Sequence, residues 1–92
     1  MAAVKVYSSD MCAYCGAAQM LLKKKRVEFD VILINKDPEG MKEMRERTGR
    51  TSVPQVFVGD VHVGGFDDLC ALDERGELDA LLAEHAGEAG TE

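Results

Sequence analysis

Two cysteines stand three positions apart in the run Cys12-Ala13-Tyr14-Cys15. Thiols at that spacing can close a small disulfide ring. If a helix begins between them, its aligned amide dipoles point at the first sulfur and stabilise it as a thiolate. The second cysteine then falls one turn further in, on a helical stripe shared with Ala18 and Leu22. That asymmetry predicts two roles: Cys12 as the exposed nucleophile and Cys15 as the resolving thiol that attacks a mixed disulfide. The competing chemistry is half of a zinc site. Zinc asks for about four ligands at paired spacings. The remaining candidates, His62, Cys70 and His85, occur singly, so no metal site is expected.

The chain that must position these thiols has 92 residues, 46% apolar and 30% charged, with a net charge of −6. This is the size of one domain, with enough apolar material for a single core and no need of disulfide staples. The negative balance excludes a phosphate-neutralising nucleic-acid binder. Met1-Ala-Ala-Val-Lys-Val-Tyr shows no basic region leading into a long apolar run, and no apolar stretch approaches a membrane span. The expected setting is the reducing cytoplasm, where cysteines are better explained by catalysis than by structural bridges.

Val4-Lys5-Val6-Tyr7 alternates as a strand, and Ser8-Ser9-Asp10 reads as a loop. Helix formers follow from Ala13 to about Lys25, with Lys23, Lys24, Lys25 and Arg26 as a cationic end that suits the helix dipole. Val27–Ile34 reads as a second strand. Asp37-Pro38 reads as an N-cap and first helical position, for a thinly apolar helix carried by Met41 and Met44 and stopped by Gly49. Val56–Val58, Gly59-Asp60 and Val61–Val63 make a hairpin signal that Gly64-Gly65 ends. A last helical pattern opens at Asp67-Asp68 with Leu69 and Leu72 inward. Gly76 interrupts it, and Leu78, Leu81 and Leu82 resume it. His62 is expected to face solvent, His85 to belong to the tail, and Cys70 to be a packed or half-exposed helix residue. The order β-α-β-α-β-β-α predicts an α/β fold: a four-stranded mixed sheet with helices on both faces. The domain is expected to span residues 1–85, with 86–92 fraying.

Two further stretches have chemical possibilities. In Ser52-Val53-Pro54, a cis Val53-Pro54 bond would turn the Val53 backbone outward to pair with an extended peptide. Local statistics favour a trans bond. Gly64-Gly65-Phe66-Asp67-Asp68 sets two carboxylates at a helix start, either as simple capping or as a cradle for an ammonium group.

In this order, Cys12–Cys15, Gly49-Arg50-Thr51-Ser52-Val53-Pro54-Gln55 and Gly64–Leu69 resemble the glutaredoxin family, on the thioredoxin-like fold, over nearly the whole chain from Val4 to about Leu82. Within the family, the match is to the small bacterial dithiol type. The resemblance implies thiol–disulfide exchange with glutathione as reductant, and a cis Pro54. It implies that Cys12 attacks protein disulfides or glutathionylated proteins. Val53 would pair with the cysteinyl part of glutathione, Tyr14 would wall the groove, and Asp67 and Asp68 would hold the γ-glutamyl end. Ser52, Pro54 and Gly65 complete the expected binding set. A monomer is expected.

The chain departs from that pattern at Ala13, where the family usually has Pro, and at Ser9, where a basic residue is common. It departs again at Met41, where Arg or Gln often meets the glycyl carboxylate, and at Ser52, which replaces Thr and keeps the hydroxyl. Lys5 and Lys42 are candidate compensating cations. Ala13 opens an alternative function, because some glutaredoxins with a small residue there hold a [2Fe–2S] cluster between two protomers, on the first active-site cysteine and glutathione. A redoxin indifferent to glutathione is disfavoured by the Gly64–Asp68 motif, and a purely structural module would leave Cys12 without purpose.

Overall fold

Alternation in the first strand sorts its side chains onto two faces, and the rest of the fold follows from that sorting. The computed structural model describes residues 4–87. They form β1 (Val4–Ser8), α1 (Ala13–Lys24), β2 (Phe29–Leu33), α2 (Pro38–Thr48), β3 (Gln55–Val58), β4 (Val61–Gly64), α3 (Phe66–Glu74), α4 (Glu77–Leu82) and a wide helical turn at Ala83–Gly87. The sheet order is β2-β1-β3-β4. β1 runs parallel to β2, opposite Val6 to Val31, and antiparallel to β3, opposite Val6 to Val56. This is the four-stranded mixed sheet expected from the element order, in the thioredoxin-like arrangement that the resemblance implies.

On one face, Val4, Val6, Val56 and Val58 pack with Ala18 and Leu22 of α1, Leu69 of α3, and Leu78 and Leu82 of α4. Each fully buried Val or Leu of this kind contributes about 1.5–3 kcal/mol of transfer free energy. The opposite face carries a smaller cluster of Tyr7, Phe57 and Met44 of α2, backed by Ile32, Ile34, Met41 and Val53. Helices therefore cover both faces. The thin apolar stripe of α2 nonetheless packs closely, because Met44 is fully buried against the edge-on Tyr7 and Phe57 rings. No helix among the described residues is long and apolar enough to cross a membrane.

Several boundaries differ from the sequence expectation. The second strand is shorter than Val27–Ile34. Arg26 takes a left-handed φ of 62°, so the chain enters β2 late, and Ile34 leaves the ladder while still donating to the Ser8 carbonyl at 2.9 Å. The final helix is two helices, because Gly76 sits at φ 76° between α3 and α4. Lys25 fastens that break to the end of α1, reaching Asp73 at 2.6 Å and Asp79 at 3.0 Å. Lys23 and Lys24 lie in the last turn of α1, as a dipole cap requires, whereas Lys25 acts as a tertiary tie.

His62 is half-buried rather than fully solvent-facing. Its ring stacks on Phe57 with centroids 4.8 Å apart and bonds to Gln55. His85 is not a loose tail residue either, because a Cβ placed on Gly59 would meet its Nδ1 at 2.6 Å. Ala86 and Gly87 belong to the closing turn, and the rest of the 86–92 segment lies outside the described residues.

Candidate active site

Cys12 is the N-cap of α1. Its backbone is extended (φ −130°, ψ 108°), and its sulfur accepts the Cys15 amide at 3.2 Å. The sulfur thus takes the place of the Ser or Asp oxygen that usually caps a helix, at the positive end of the dipole where an anion is favoured. The helix begins here because Ala13 and the formers behind it follow an extended Cys12, and Gly16 donates the first intrahelical bond to the Cys12 carbonyl. Cys12 is half-buried, while Cys15 is 2% exposed on the stripe with Ala18 and Leu22. Burial pushes the Cys15 thiol above the ordinary thiol range. The adjacent Cys12 sulfur adds to that, while contacts from Ser9 and Ser8 oppose it. Cys15 is the more buried of the two, as the three-residue spacing predicts, whereas Cys12, expected to be exposed, is half-buried.

Across from Cys12, the loop before β3 brings in Val53, whose carbonyl oxygen is 3.8 Å from the Cys12 sulfur. The Val53-Pro54 peptide bond is cis, as the resemblance implied and against the local statistics. From there an open groove of about 280 Å³ is lined by Tyr14, Arg50, Ser52, Val53, Pro54, Gln55, Gly65, Phe66, Asp67 and Asp68. All seven residues expected to contact a ligand (Tyr14, Ser52, Val53, Pro54, Gly65, Asp67 and Asp68) therefore gather around one groove, although they come from α1, the 49–54 loop and the start of α3. Gly65 lies against the 49–54 loop, where a Cβ would sit in ordinary contact, 3.4 Å from the Pro54 carbonyl oxygen. Asp68 is turned back toward its own helix start and accepts the Gly65 amide at 3.1 Å. Asp67 and Asp68 both lie in the first turn of α3, where their charge suits the dipole.

Three groove residues escaped sequence reasoning: Arg50, Gln55 and Phe66. Each sits inside the Gly49–Gln55 or Gly64–Leu69 motif, next to an expected contact, and that adjacency is the signal the sequence offers. Arg50 supplies the cation of the groove, with Nη1 4.0 Å from Asp68 Oδ2. Phe66 packs beside Tyr14, with ring centroids 6.0 Å apart. The proposed compensating lysines do not line the groove. Lys5 pairs with Glu43 at 3.7 Å, and Lys42 lines a separate hollow formed by α2 and Ile32. Met41 belongs to the core cluster beneath α2. Among the described residues, no group of three or more His, Cys, Asp or Glu side chains could hold a metal ion.

The arrangement suits nucleophilic exchange at sulfur: a half-exposed thiol on a helix N-terminus, a buried second thiol one turn away, and a polar groove leading off beside them. Comparison with known proteins agrees. The family model described as Glutaredoxin matches residues 4–63. The chain is 48% identical over 82 residues to Glutaredoxin 3 of Escherichia coli K12, covering 89% of this chain and 99% of that one. It is 45% identical over 83 residues to a glutaredoxin of Pseudomonas aeruginosa, covering 90% and 99%. Among solved structures, wheat glutaredoxin superposes with a TM-score of 0.83 at 34% identity, covering 92% of this chain and 83% of that one. A buckwheat glutaredoxin–glutathione complex superposes with a TM-score of 0.81 at 27% identity, covering 89% and 77%. The motif spacing, the fold and these relatives agree that the chain belongs to the glutaredoxin family of thiol–disulfide oxidoreductases.

Proposed function

We propose that this chain uses glutathione to reduce protein disulfides and glutathionylated proteins, with Cys12 as nucleophile and Cys15 as resolving thiol. The observation that carries the reading is the placement of the Cys12 sulfur. It caps α1 and lies 3.8 Å from the carbonyl of Val53, which lines a groove that ends at Asp67 and Asp68. Glutathione brings one ammonium and two carboxylates, and the groove offers matching groups. Asp67 and Asp68 suit the ammonium, and the free amides at the start of α3 suit the neighbouring carboxylate. Arg50 suits the second carboxylate. The Val53 backbone offers a strand-like pairing edge to the cysteinyl residue between them. The buckwheat relative, whose structure is described as a glutathione complex, supports the same occupant.

In the exchange itself, the Cys12 thiolate attacks the glutathione sulfur of a mixed disulfide. The old S–S bond breaks, the protein thiolate leaves, and Cys12 carries glutathione. A second glutathione thiolate then attacks that adduct, releasing oxidised glutathione and restoring the Cys12 thiolate. With a protein disulfide, Cys12 becomes joined to the substrate. Cys15 attacks the Cys12 sulfur, its proton passing to the departing substrate thiolate, and two glutathiones reduce the resulting Cys12–Cys15 bridge. Burial raises the Cys15 thiol above its ordinary range, so Cys15 gives up its proton as it attacks. The reading includes action as a monomer in the cytoplasm.

Ala13, on the exposed start of α1, supports a second reading: a [2Fe–2S] cluster bridging two copies. Beside the groove-lining Val53 one chain presents a single thiol, Cys12, so the four thiolates of such a cluster would be two Cys12 sulfurs and two glutathione sulfurs. Anaerobic reconstitution with glutathione, followed by visible absorption and sizing, tests it, and a colourless monomer counts against it.

The experiment for the main reading is turnover of a small glutathione mixed disulfide with glutathione and its reductase. Cys12→Ser is expected to abolish turnover. Retained activity in Cys12→Ser would overturn the mechanism, and failure of the wild type to use glutathione would overturn the substrate.

A further inference from the structure

Gln55 is a polar side chain only 1% exposed at the start of β3. Its carboxamide is engaged at both ends. Nε2 donates to the Ser52 carbonyl at 3.1 Å and lies 3.4 Å from Ser52 Oγ, while Oε1 is 2.7 Å from His62 Nε2. A carboxamide oxygen can only accept, so His62 carries its proton on Nε2. The imidazole is itself clamped. It stacks on Phe57 at an interplanar angle of 20°, and the Arg47 guanidinium stands 3.8 Å from the centroid of the same Phe57 ring. A line of contacts thus runs from β4 through Gln55 to Ser52. The next residue, Val53, faces the Cys12 sulfur.

We propose that His62 and Gln55 are positioning residues for the Ser52–Val53 segment, so that an imidazole on β4 sets the glutathione-pairing backbone beside Cys12. The inference rests on the glutathione reading above. A carboxamide can turn over about its last bond, exchanging oxygen and nitrogen in nearly the same volume. Turned over, Gln55 would set its oxygen against the Ser52 carbonyl, acceptor against acceptor. The His62 N–H makes the productive orientation the only one with every group paired, and Ser52 is held from below.

The clamp does not depend on His62 changing charge. Gln55 and Phe57 from β3, Arg47 from α2, Arg50 from the loop and Asp68 from α3 surround the imidazole. Burial first, then the Arg50 and Arg47 charges, hold it below its ordinary range, with Asp68 opposing. Both the neutral Nε2–H form and the imidazolium donate from Nε2, so the bond to Gln55 survives either state.

The test is steady-state reduction of a small glutathione mixed disulfide by wild type, His62→Phe and His62→Gln. The phenyl ring preserves stacking on Phe57 and removes the donor, while the glutamine amide restores an N–H near the position of Nε2. His62→Phe is expected to raise the KM for glutathione about fivefold, the scale of one lost hydrogen bond, with kcat within about twofold. His62→Gln is expected to bring KM back toward wild type. An unchanged KM in His62→Phe, or a KM that His62→Gln does not restore, overturns the proposal. A measurement on the wild type needs no variant to fold: long-range ¹H–¹⁵N spectra of the imidazole at neutral pH should show Nε2 protonated and Nδ1 bare. The opposite tautomer overturns the proposal. A wild type that ignores glutathione fails before any variant is compared, so failure of the glutathione reading is distinguishable from failure of the clamp.

Discussion

The Cys12 sulfur and the Val53 carbonyl oxygen lie 3.8 Å apart across a sequence separation of 41 positions. One belongs to a helix start and the other to the loop before β3. β1 joins them, because it leads directly into the first and is the antiparallel partner of the strand that follows the second, with Tyr7 opposite Gln55. A substrate disulfide that reaches Cys12 therefore meets the Val53 backbone at the same time, and that coupling sets what changes to the site should do.

Cys15→Ser should separate the two routes of exchange. Glutathione alone can clear the Cys12 adduct, so turnover of a small glutathione mixed disulfide should stay within a few-fold of wild type. Reduction of a protein disulfide needs the second thiol to release the substrate, and there the rate should fall by about tenfold or more. Parallel assays on the two substrate types check this, and equal loss on both would contradict the assigned roles.

Stability of the reduced protein should fall on the alkaline side. Burial raises the Cys15 thiol and the Tyr7 phenol, and raises Cys70 with help from Glu74, Asp67 and Asp73. The folded chain keeps these protons where the unfolded chain releases them. Their contribution is complete below the unfolded thiol value of about 8.5 and is lost as pH rises through the folded values. Glu43 and Asp10 act oppositely. The Tyr7 hydroxyl lowers Glu43, with Lys5 and Arg47 adding, and Asn35 and then Lys36 lower Asp10. Their contribution holds above the unfolded carboxylate values and is lost in acid. Urea midpoints under a thiol reductant should form a plateau between about pH 5 and 8, with a shallower alkaline fall in Cys15→Ser.

Gly64→Ala should damage both fold and groove. Gly64 holds φ at 117°, a conformation L side chains rarely adopt, and an added Cβ would collide with the Asp68 carboxylate. The backbone strain alone is on the order of 1–3 kcal/mol, seen as a lower urea midpoint with unchanged slope. The displaced Asp68 should raise the KM for glutathione more than it lowers kcat.

Arg50→Gln should weaken glutathione without touching the thiols. Arg50 and Asp68 are both about half exposed, and their 4.0 Å approach is screened by solvent, so the pair itself adds little to stability. The expected change is a rise of about three- to tenfold in KM, the range of one exposed charge-assisted contact, with kcat and the thermal midpoint little altered. In the wild type the same KM should climb with added salt, and in the variant less so.

Local patterns were enough to read the element order, the inward stripe of Cys15, Ala18 and Leu22, the Asp37 cap with Gly49 as stop, and the deeper burial of Cys15 than of Cys12. Each depends on residues within one or two turns of each other, where periodicity and capping chemistry act directly. The three motifs at their separations were also enough to assemble the groove by resemblance. Tertiary structure decided what depends on register and on partners distant in sequence. Lys25 became a tie to Asp73 and Asp79 because α3 and α4 pack back against the end of α1. Arg50 became the groove cation because Lys5 was drawn to Glu43 and Lys42 lines a separate hollow formed by α2 and Ile32. His62 turned from an apparent surface residue into a donor to Gln55. In the β3–β4 pairing, with its irregularity between Val56 and Phe57, Phe57 stands opposite His62 and its ring holds the imidazole in place. A sequence pattern assigns a residue to a face of its own strand. Which side chain it meets there depends on how the neighbouring strands pair, and only the folded sheet sets that.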